Sequence, residues 1–204
     1  MGKRSTSAST DPFDADYYER FYGSSQTRVH SAQDVAKLCT AVVSFVEWWQ
    51  HPVRTVLDVG AGVGLWRDWF TKKRPRAVYR STEYSAHACR AYGHEQRDIT
   101  RWRAKETFDL VICQGVLPYL DEEGAERAIE NLAAMTGGFL YLEAITKRDL
   151  REVCDSSRTD VKVYERTGAW YRARLREHYL EAGCGLWCKK DAGILFYELE
   201  SAAR

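Results

Sequence analysis

The stretch LDVGAGVGLW, residues 57–66, contains three glycines, Gly60, Gly62 and Gly64, within five positions, and one acid, Asp58, precedes them. Glycine costs backbone entropy in regular structure, but it adopts positive φ angles and lets a ligand approach the main chain closely. The stretch therefore predicts a strand that ends in a tight turn before a helix. The exposed N–H groups of such a helix start favour polar or anionic ligands.

Alternating helical and strand patterns surround this turn. Predicted strands cover 55–59, 77–83, 95–97, 108–113 and 139–144, and predicted helices cover 35–49, 64–73, 86–92, 121–135 and 170–182. Asp191-Ala-Gly193 predicts a turn between two final strands, 185–190 and 194–199. The alternation predicts an α/β fold with a doubly wound, mostly parallel sheet and helices on both faces. In such sheets ligands bind beyond the carboxyl ends of the strands.

Length, charge and cysteine content narrow the function classes. The 204 residues fit one domain, which we place at 31–204 after a flexible leader and lid at 1–30. The net charge of +1 and the lack of an apolar run of about 18 residues predict neither a nucleic-acid partner nor a membrane partner. The six cysteines are scattered without zinc spacing, which predicts no metal site and a reduced, cytoplasmic protein.

The glycine turn is compared with the patterns of two classes of cofactor site. A dinucleotide fold requires G-x-G-x-x-G after the strand, and here the third glycine, Gly64, comes one residue early. The alternative pattern is acid-x-Gly-x-Gly-x-Gly, which Asp58, Gly60, Gly62 and Gly64 satisfy. The spacing therefore disfavours a nicotinamide oxidoreductase.

With this second pattern the sequence resembles the class I S-adenosylmethionine-dependent methyltransferases. The resemblance extends beyond the turn, because Glu83 ends the second predicted strand, Asp98 follows the third, and the run 108–117 matches the family's fourth motif. It covers roughly residues 31–201. It implies a Rossmann-like sheet of seven strands whose last strand, assigned to 194–199, is antiparallel.

The resemblance implies S-adenosylmethionine as cofactor, S-adenosylhomocysteine as product, and a role for each matched residue. Glu83 would accept the ribose hydroxyls, Asp98 would bind the adenine amino group, and Tyr84 and Ile99 would flank the adenine. Residues expected around the turn and the methionine end are Tyr22, Arg28, Asp58, Gly60, Ala61, Gly62, Gly64, Gln114 and Gly115. A carboxylate suits the ribose because vicinal hydroxyls are donors and its oxygens accept both.

Each acid and amide also has a structural interpretation, which the sequence leaves open. Asp58 could accept only backbone donors within the turn, and Glu83 could be a surface acid at a strand end. Asp98 could cap a helix before Arg101, and Gln114 could face water in a loop.

Methyl transfer from a sulfonium is a direct displacement, so alignment and a dry cavity supply most of the catalysis. A general base is needed only when the nucleophile must lose a proton, and the sequence secures no catalytic residue. Glu143 is the one candidate, as a base or as an anchor for a cation.

Substrate contacts are expected from Tyr18, Tyr119 and Glu143, with residues 16–22 as an aromatic lid and 146–171 as a substrate-recognising insertion. The expected activity is methylation of an oxygen or nitrogen of a small molecule. The alternatives are methylation of a peptide or protein side chain and non-catalytic cofactor binding. The oligomeric state is not predicted.

Overall fold

The sheet consists of seven strands in the order β3-β2-β1-β4-β5-β7-β6. The computed structural model describes residues 12–201. Its strands are β1 Thr55–Val59, β2 Val78–Glu83, β3 Glu95–Gln96, β4 Phe108–Gln114, β5 Thr136–Glu143, β6 Tyr179–Gly183 and β7 Leu186–Lys189. Strands β1 to β5 pair in parallel, and β7 is antiparallel to both of its neighbours. The predicted doubly wound sheet with an antiparallel strand is confirmed.

Helices cover both faces of this sheet. They are α1 Ala15–Tyr18, which continues as a π-helical turn Glu19–Gly23, α2 Ala32–Trp48, α3 Leu65–Lys73, α4 Ala86–Tyr92, α5 Glu122–Met135, α6 Lys147–Glu152 and α7 Gly168–His178. Ser31 forms a capping box with Asp34 at the start of α2, which satisfies two N-terminal backbone donors. A short 3₁₀ turn, Leu117–Tyr119, follows β4.

Strand β4 shows how the sequence divides the core between the two faces. Leu110 and Ile112 pack on the side of α2 and α3, whereas Val111 and Cys113 pack on the side of α5 and α7. Successive side chains of a strand point to opposite faces, so an almost wholly apolar strand is covered on both sides. Because β1, β2, β4 and β5 run in parallel, their carboxyl ends meet at one edge of the sheet.

The end of the chain differs from the sequence prediction. The helix predicted over 170–182 ends at His178, and the next five residues form β6. Tyr179 explains the change, because its side chain is buried and its hydroxyl pairs with Thr136 Oγ1 at 3.0 Å. Pairing with β7 and this burial outweigh local helix propensity.

The predicted final hairpin is also wrong. The observed hairpin joins β6 and β7 through Gly183, Cys184 and Gly185, all with positive φ, which suits a tight turn. Residues 194–199 form no strand, so the assignment of the last antiparallel strand to them is wrong, and β7 takes that place. Their alternating pattern instead places Ile194 and Phe196 against the core beside α2.

Within residues 12–201, no helix has the length and apolar character needed to cross a bilayer. Over the same range, no group of three or more His, Cys, Asp or Glu side chains is arranged to hold a metal ion. The thiols of Cys39, Cys113 and Cys188 are buried in the core.

Candidate functional site

A cavity of about 950 Å³ opens at the carboxyl edge of the sheet, and a smaller one of about 140 Å³ adjoins it. Glu83, Tyr84, Asp98 and Ile99 line the larger cavity, and Asp58 and Glu143 line the smaller. Residues that line both are Tyr17, Phe21, Tyr22, Gly60, Gly62, Gln114, Gly115, Tyr119, Thr159 and Asp160. The edge predicted from the strand order therefore contains one composite site.

The glycine turn joins β1 to α3 through three left-handed residues. Gly60, Gly62 and Gly64 have φ of 75°, 55° and 82°. At Gly60 a Cβ would clash with Val116, whereas at Gly62 it would meet nothing closer than the Tyr22 hydroxyl at 3.7 Å. Conformation therefore favours glycine at all three positions, and at Gly62 the main chain also remains open toward the cavity.

Glu83 holds the glycine turn in place. Its buried carboxylate accepts the N–H of Gly62 through Oε2 at 3.0 Å. Its Oε1 accepts the N–H groups of Tyr84 at 2.7 Å and Ser85 at 3.0 Å. A carboxylate offers about four lone-pair sites, so these three donors leave capacity for about one more.

Asp58 lies beneath the turn at the end of β1. It is 2% exposed, and the Tyr79 hydroxyl donates to its Oδ2 at 2.6 Å. Burial raises the pKa of Asp58 to about 7, although the Tyr79 hydrogen bond opposes this shift. The acid therefore has a side-chain partner in the core as well as a place in the wall of the smaller cavity.

Asp98 and Ile99 form one end of the larger cavity. Asp98 Oδ1 accepts the Thr100 N–H at 2.9 Å and its hydroxyl at 2.7 Å, so this oxygen shapes the loop. Asp98 Oδ2 lies 3.8 Å from Arg101 Nε. Ile99 is buried, whereas Tyr84 is exposed and contacts the ring of Phe13 edge-on. An apolar floor with a carboxylate beside it can accommodate a flat heterocycle with an amino group.

Gln114 connects the ends of β4 and β5. Its Oε1 accepts from Trp66 Nε1 at 2.7 Å, and its Nε2 donates to Glu143 Oε2 at 3.0 Å. The Gly115 N–H donates to the Glu143 carbonyl at 2.9 Å. The side chains of Gln114 and Glu143 are therefore oriented by protein partners next to the smaller cavity.

Aromatic residues of the N-terminal segment cover the site. The Tyr17 and Tyr119 hydroxyls lie 2.9 Å apart, which joins α1 to the 3₁₀ turn. Tyr18 is buried and stacks on His87 of α4 with ring centroids 5.8 Å apart, and Tyr22 lies over Gly62. Burial raises the pKa of both Tyr17 and Tyr119, so both stay protonated near neutral pH.

The segment between α6 and α7 forms the remaining wall. Asp160 lines both cavities, and its charge contributes to the raised pKa of Tyr119. Arg158 donates to the Arg28 carbonyl through Nε at 3.1 Å, which ties this segment to the N-terminal segment. Tyr164 N–H donates to the Pro118 carbonyl at 2.8 Å. The insertion, the 3₁₀ turn and the N-terminal segment therefore act as one wall.

Most of the residues predicted for the site line these two cavities, and two do not. Those in the lining are Tyr18, Tyr22, Asp58, Gly60, Ala61, Gly62, Glu83, Tyr84, Asp98, Ile99, Gln114, Gly115, Tyr119 and Glu143. Gly64 lies outside it as the N-cap of α3. Arg28 also lies outside it, with its carbonyl bound to Arg158, so its assignment to a carboxylate stays a prediction without structural support.

Asp160 and His94 were not identified individually from the sequence. Asp160 lies in a segment of mixed charge that carries no motif, so only its position in the fold reveals it. His94 follows Gly93, whose left-handed conformation ends α4, and this glycine was the one local signal of a chain reversal there.

No protein-family model and no curated protein sequence matches this chain. Solved structures do match it. DesVI from Streptomyces venezuelae aligns with a TM-score of 0.62 at 19% identity, over 86% of this chain and 97% of its own. CalS10, an amino pentose methyltransferase from Micromonospora echinaspora solved with SAM bound, aligns with a TM-score of 0.59 at 15% identity, over 81% and 94%.

An O-methyltransferase family protein from Burkholderia thailandensis aligns with a TM-score of 0.55 at 15% identity, over 79% of this chain. This chain spans only 59% of the length of that protein. The strand arrangement and these similarities define the class: the described chain has the Rossmann-like fold of the class I methyltransferases.

Proposed function

We propose that this protein is an S-adenosylmethionine-dependent methyltransferase that methylates an oxygen or nitrogen of a small molecule and releases S-adenosylhomocysteine. One observation carries the proposal. A turn of left-handed glycines ends β1, the buried carboxylate of Glu83 holds it, and its open face borders a cavity of about 950 Å³. That volume lies within the range of small-molecule and cofactor sites.

The chemistry of the lining fits this cofactor. A Cβ at Gly115 would meet nothing within 4 Å, so the backbone there is open to the site, as it is at Gly62. Among residues 12–201, the smaller cavity has three acids in its lining, Asp58, Glu143 and Asp160, and neither lysine nor arginine. Acids and aromatic rings favour the sulfonium and the ammonium of the cofactor.

The residues around the site can align the acceptor and exclude water. When bound, the cofactor supplies a methyl group on an activated sulfur leaving group. We assign residues 1–30 to a leader and lid, and 31–204 to the catalytic domain. The lid rings of Tyr17, Phe21 and Tyr22 border both cavities, which supports a role in shielding the transfer from solvent.

Glu143 remains the candidate for proton removal. Its side-chain hydrogen bonds within the described residues both use Oε2, from Gln114 at 3.0 Å and from the Tyr141 hydroxyl at 3.4 Å. Its Oε1 is therefore available for a hydrogen bond from an O–H or N–H group of the substrate. As the substrate's oxygen or nitrogen bonds to the methyl carbon, Oε1 can take the proton from that group.

A small-molecule acceptor is the favoured class because lid and insertion residues line both cavities, and a volume of about 950 Å³ suits a cofactor with a small acceptor. A peptide side chain is the alternative. We also propose a cytoplasmic location, because the cysteines form no disulfide-framework pattern in the sequence.

Calorimetric titration with S-adenosylmethionine, S-adenosylhomocysteine and NAD, without added metal, tests the cofactor. Binding of the first two and not of NAD is expected, and no binding of either rejects the proposal. A screen of metabolite and peptide pools with methyl-labelled cofactor then identifies the acceptor class.

Glu143→Gln should bind cofactor more weakly, because one of the three acids is neutralised, and should lose turnover on a hydroxyl acceptor even at saturating cofactor. Glu130→Gln, an exposed site on α5, should retain both. Cofactor binding without transfer to any pool would identify a non-catalytic binding protein instead.

A further inference from the structure

His94 lies directly behind the glycine turn and outside the cavity lining. Gly93, with φ of 75°, ends α4, and the N–H groups of Gly93 and His94 both donate to the Cys89 carbonyl, at 2.9 and 3.3 Å. This left-handed helix ending reverses the chain. It places the imidazole of His94, which is 7% exposed, between β2 and the turn.

Both ring nitrogens of His94 have partners. Nε2 lies 3.1 Å from the Gly62 carbonyl oxygen, and Nδ1 lies 2.9 Å from Ser81 Oγ. A carbonyl only accepts, so Nε2 must carry the proton, and Nδ1 then accepts from the Ser81 hydroxyl. Burial lowers the pKa of His94 and, with the charge of Arg67, outweighs the opposing effects of the Gly62 hydrogen bond and the Asp68 charge, which favours this neutral form. The contacts therefore select one tautomer.

Gly62 is consequently fixed on both sides. Its N–H donates to Glu83 Oε2, and its carbonyl accepts from His94 Nε2. Gly62 lines both cavities, and it has no side chain between its main chain and the space proposed for the ligand. A loop that is ordered before binding costs a ligand less free energy than one that must be ordered on binding.

We propose that His94 is a positioning residue for cofactor binding, which holds the Gly62 carbonyl so that the glycine turn is preformed for S-adenosylmethionine. This inference rests on the proposed function. A direct catalytic role is excluded by position, because His94 lines neither cavity.

The test compares His94→Gln with His94→Asn. The glutamine amide can reach the position of Nε2 and donate to Gly62, whereas the asparagine amide reaches only the position of Nδ1 and Ser81. The Kd for S-adenosylhomocysteine should rise about tenfold or more in the Asn variant, and stay within about threefold of wild type in the Gln variant. His178→Gln, on α7 away from the site, is the matched control and should bind like wild type.

The free energy of unfolding in urea is measured for every variant. A purely structural role would lower it equally in both His94 variants and leave both Kd values unchanged. The Asn variant binding like wild type, or the Gln variant binding as weakly as Asn, overturns the inference. Should the Asn variant not fold, Ser81→Ala replaces it: loss of the orienting hydroxyl should weaken binding about fivefold, and a Kd within about threefold of wild type would count against the proposal.

Failure of the proposed function can be distinguished from failure of the inference about His94. If the proposed function is wrong, the wild-type protein binds no S-adenosylhomocysteine. A nitrogen-15 spectrum of the imidazole gives an independent readout in the absence of cofactor. The Nε2–H tautomer is expected near neutral pH, and the Nδ1–H tautomer contradicts the assigned hydrogen bonds.

Discussion

The carboxylate of Glu83 and the amide nitrogen of Gly62 lie 3.0 Å apart, so the acid that ends β2 also holds the glycine turn that follows β1. The two residues are joined across parallel strands that pair in register from Thr55 with Val78 onward. Glu83 therefore has a second role besides the one proposed toward the ribose. Its replacement should disturb both the ligand and the loop.

Glu83→Ala should weaken cofactor binding strongly. Removal of the carboxylate takes away the acceptor of the Gly62 and Tyr84 N–H groups and the expected ribose acceptor, a cost of about 1.5–3 kcal/mol. By the affinity relation this corresponds to a Kd about 10- to 150-fold higher. Glu83→Gln keeps one acceptor oxygen and should lie between wild type and Ala in calorimetric titration.

A 2′-deoxy cofactor analogue separates the two roles of Glu83. The analogue should bind wild type less well than the full cofactor does, and this deficit should shrink in Glu83→Ala. An undiminished deficit would place the ribose elsewhere and leave Glu83 with the turn alone.

Gly62→Val should abolish measurable cofactor binding while the protein still folds. A β-branched residue is strained at φ of 55°, and its side chain would project toward Tyr22 into the space proposed for the ligand. Gly193→Val is the matched control, because Gly193 has φ of 69° with nothing near its Cβ and lies far along the chain from the site. Both variants should lose similar stability in thermal unfolding, and only the first should lose binding. Retained affinity in Gly62→Val would make the turn merely structural.

Asp58→Asn should stabilise the protein above neutral pH. The folded pKa of about 7 lies above the ordinary value of 3.8, so the folded state binds more protons than the unfolded state between these values. Stability from this group is full below pH 3.8, falls as the pH rises, and is lost above pH 7. Each unit of pKa difference is worth about 1.4 kcal/mol.

Urea unfolding at pH 5 and pH 8 measures this effect. The Asn variant should show a flatter pH dependence and exceed wild type at pH 8, whereas Glu130→Gln, an exposed carboxyl, should keep the wild-type slope. An unchanged slope in Asp58→Asn would mean that Asp58 does not titrate in this window.

Arg166→Met should be among the most destabilising substitutions on the wall of the site. The buried guanidinium donates to the carbonyls of Leu117 at 3.2 Å and Leu120 at 2.5 Å, and it lies 4.8 Å from the ring of Trp170. Loss of these donors leaves the Leu120 carbonyl without its side-chain donor, whereas the Leu117 carbonyl keeps the backbone N–H of Leu120 at 3.2 Å. With the lost packing of the guanidinium, the cost should be about 2–4 kcal/mol.

The control for this prediction is Arg148→Met, whose exposed ion pair with Glu152 on α6 should contribute less than about 1 kcal/mol. Equal losses of unfolding free energy in the two variants would show that Arg166 does not anchor the turn.

The local sequence pattern was sufficient to predict the turn and the central strand on which the site is built. Glycine spacing after Asp58 predicted the turn, and the apolar run at 108–113 predicted a strand covered on both faces. Both predictions rest on periodicity and backbone conformation, which neighbouring residues largely determine. The end of the chain was mispredicted for the complementary reason, because residues 179–183 have helical neighbours in sequence and a strand partner, β7, in space.

The sequence by itself determined the class of fold, the edge where the site lies and the residues that supply its backbone turn. Only the tertiary structure decided which partners those residues have: Glu83 with Gly62, Asp58 with Tyr79, and Gln114 with Glu143. It also brought His94 behind the turn and Asp160 into the wall. Hydrogen-bond partners far apart in sequence leave no periodic signal, since their pairing depends on how whole strands and helices pack.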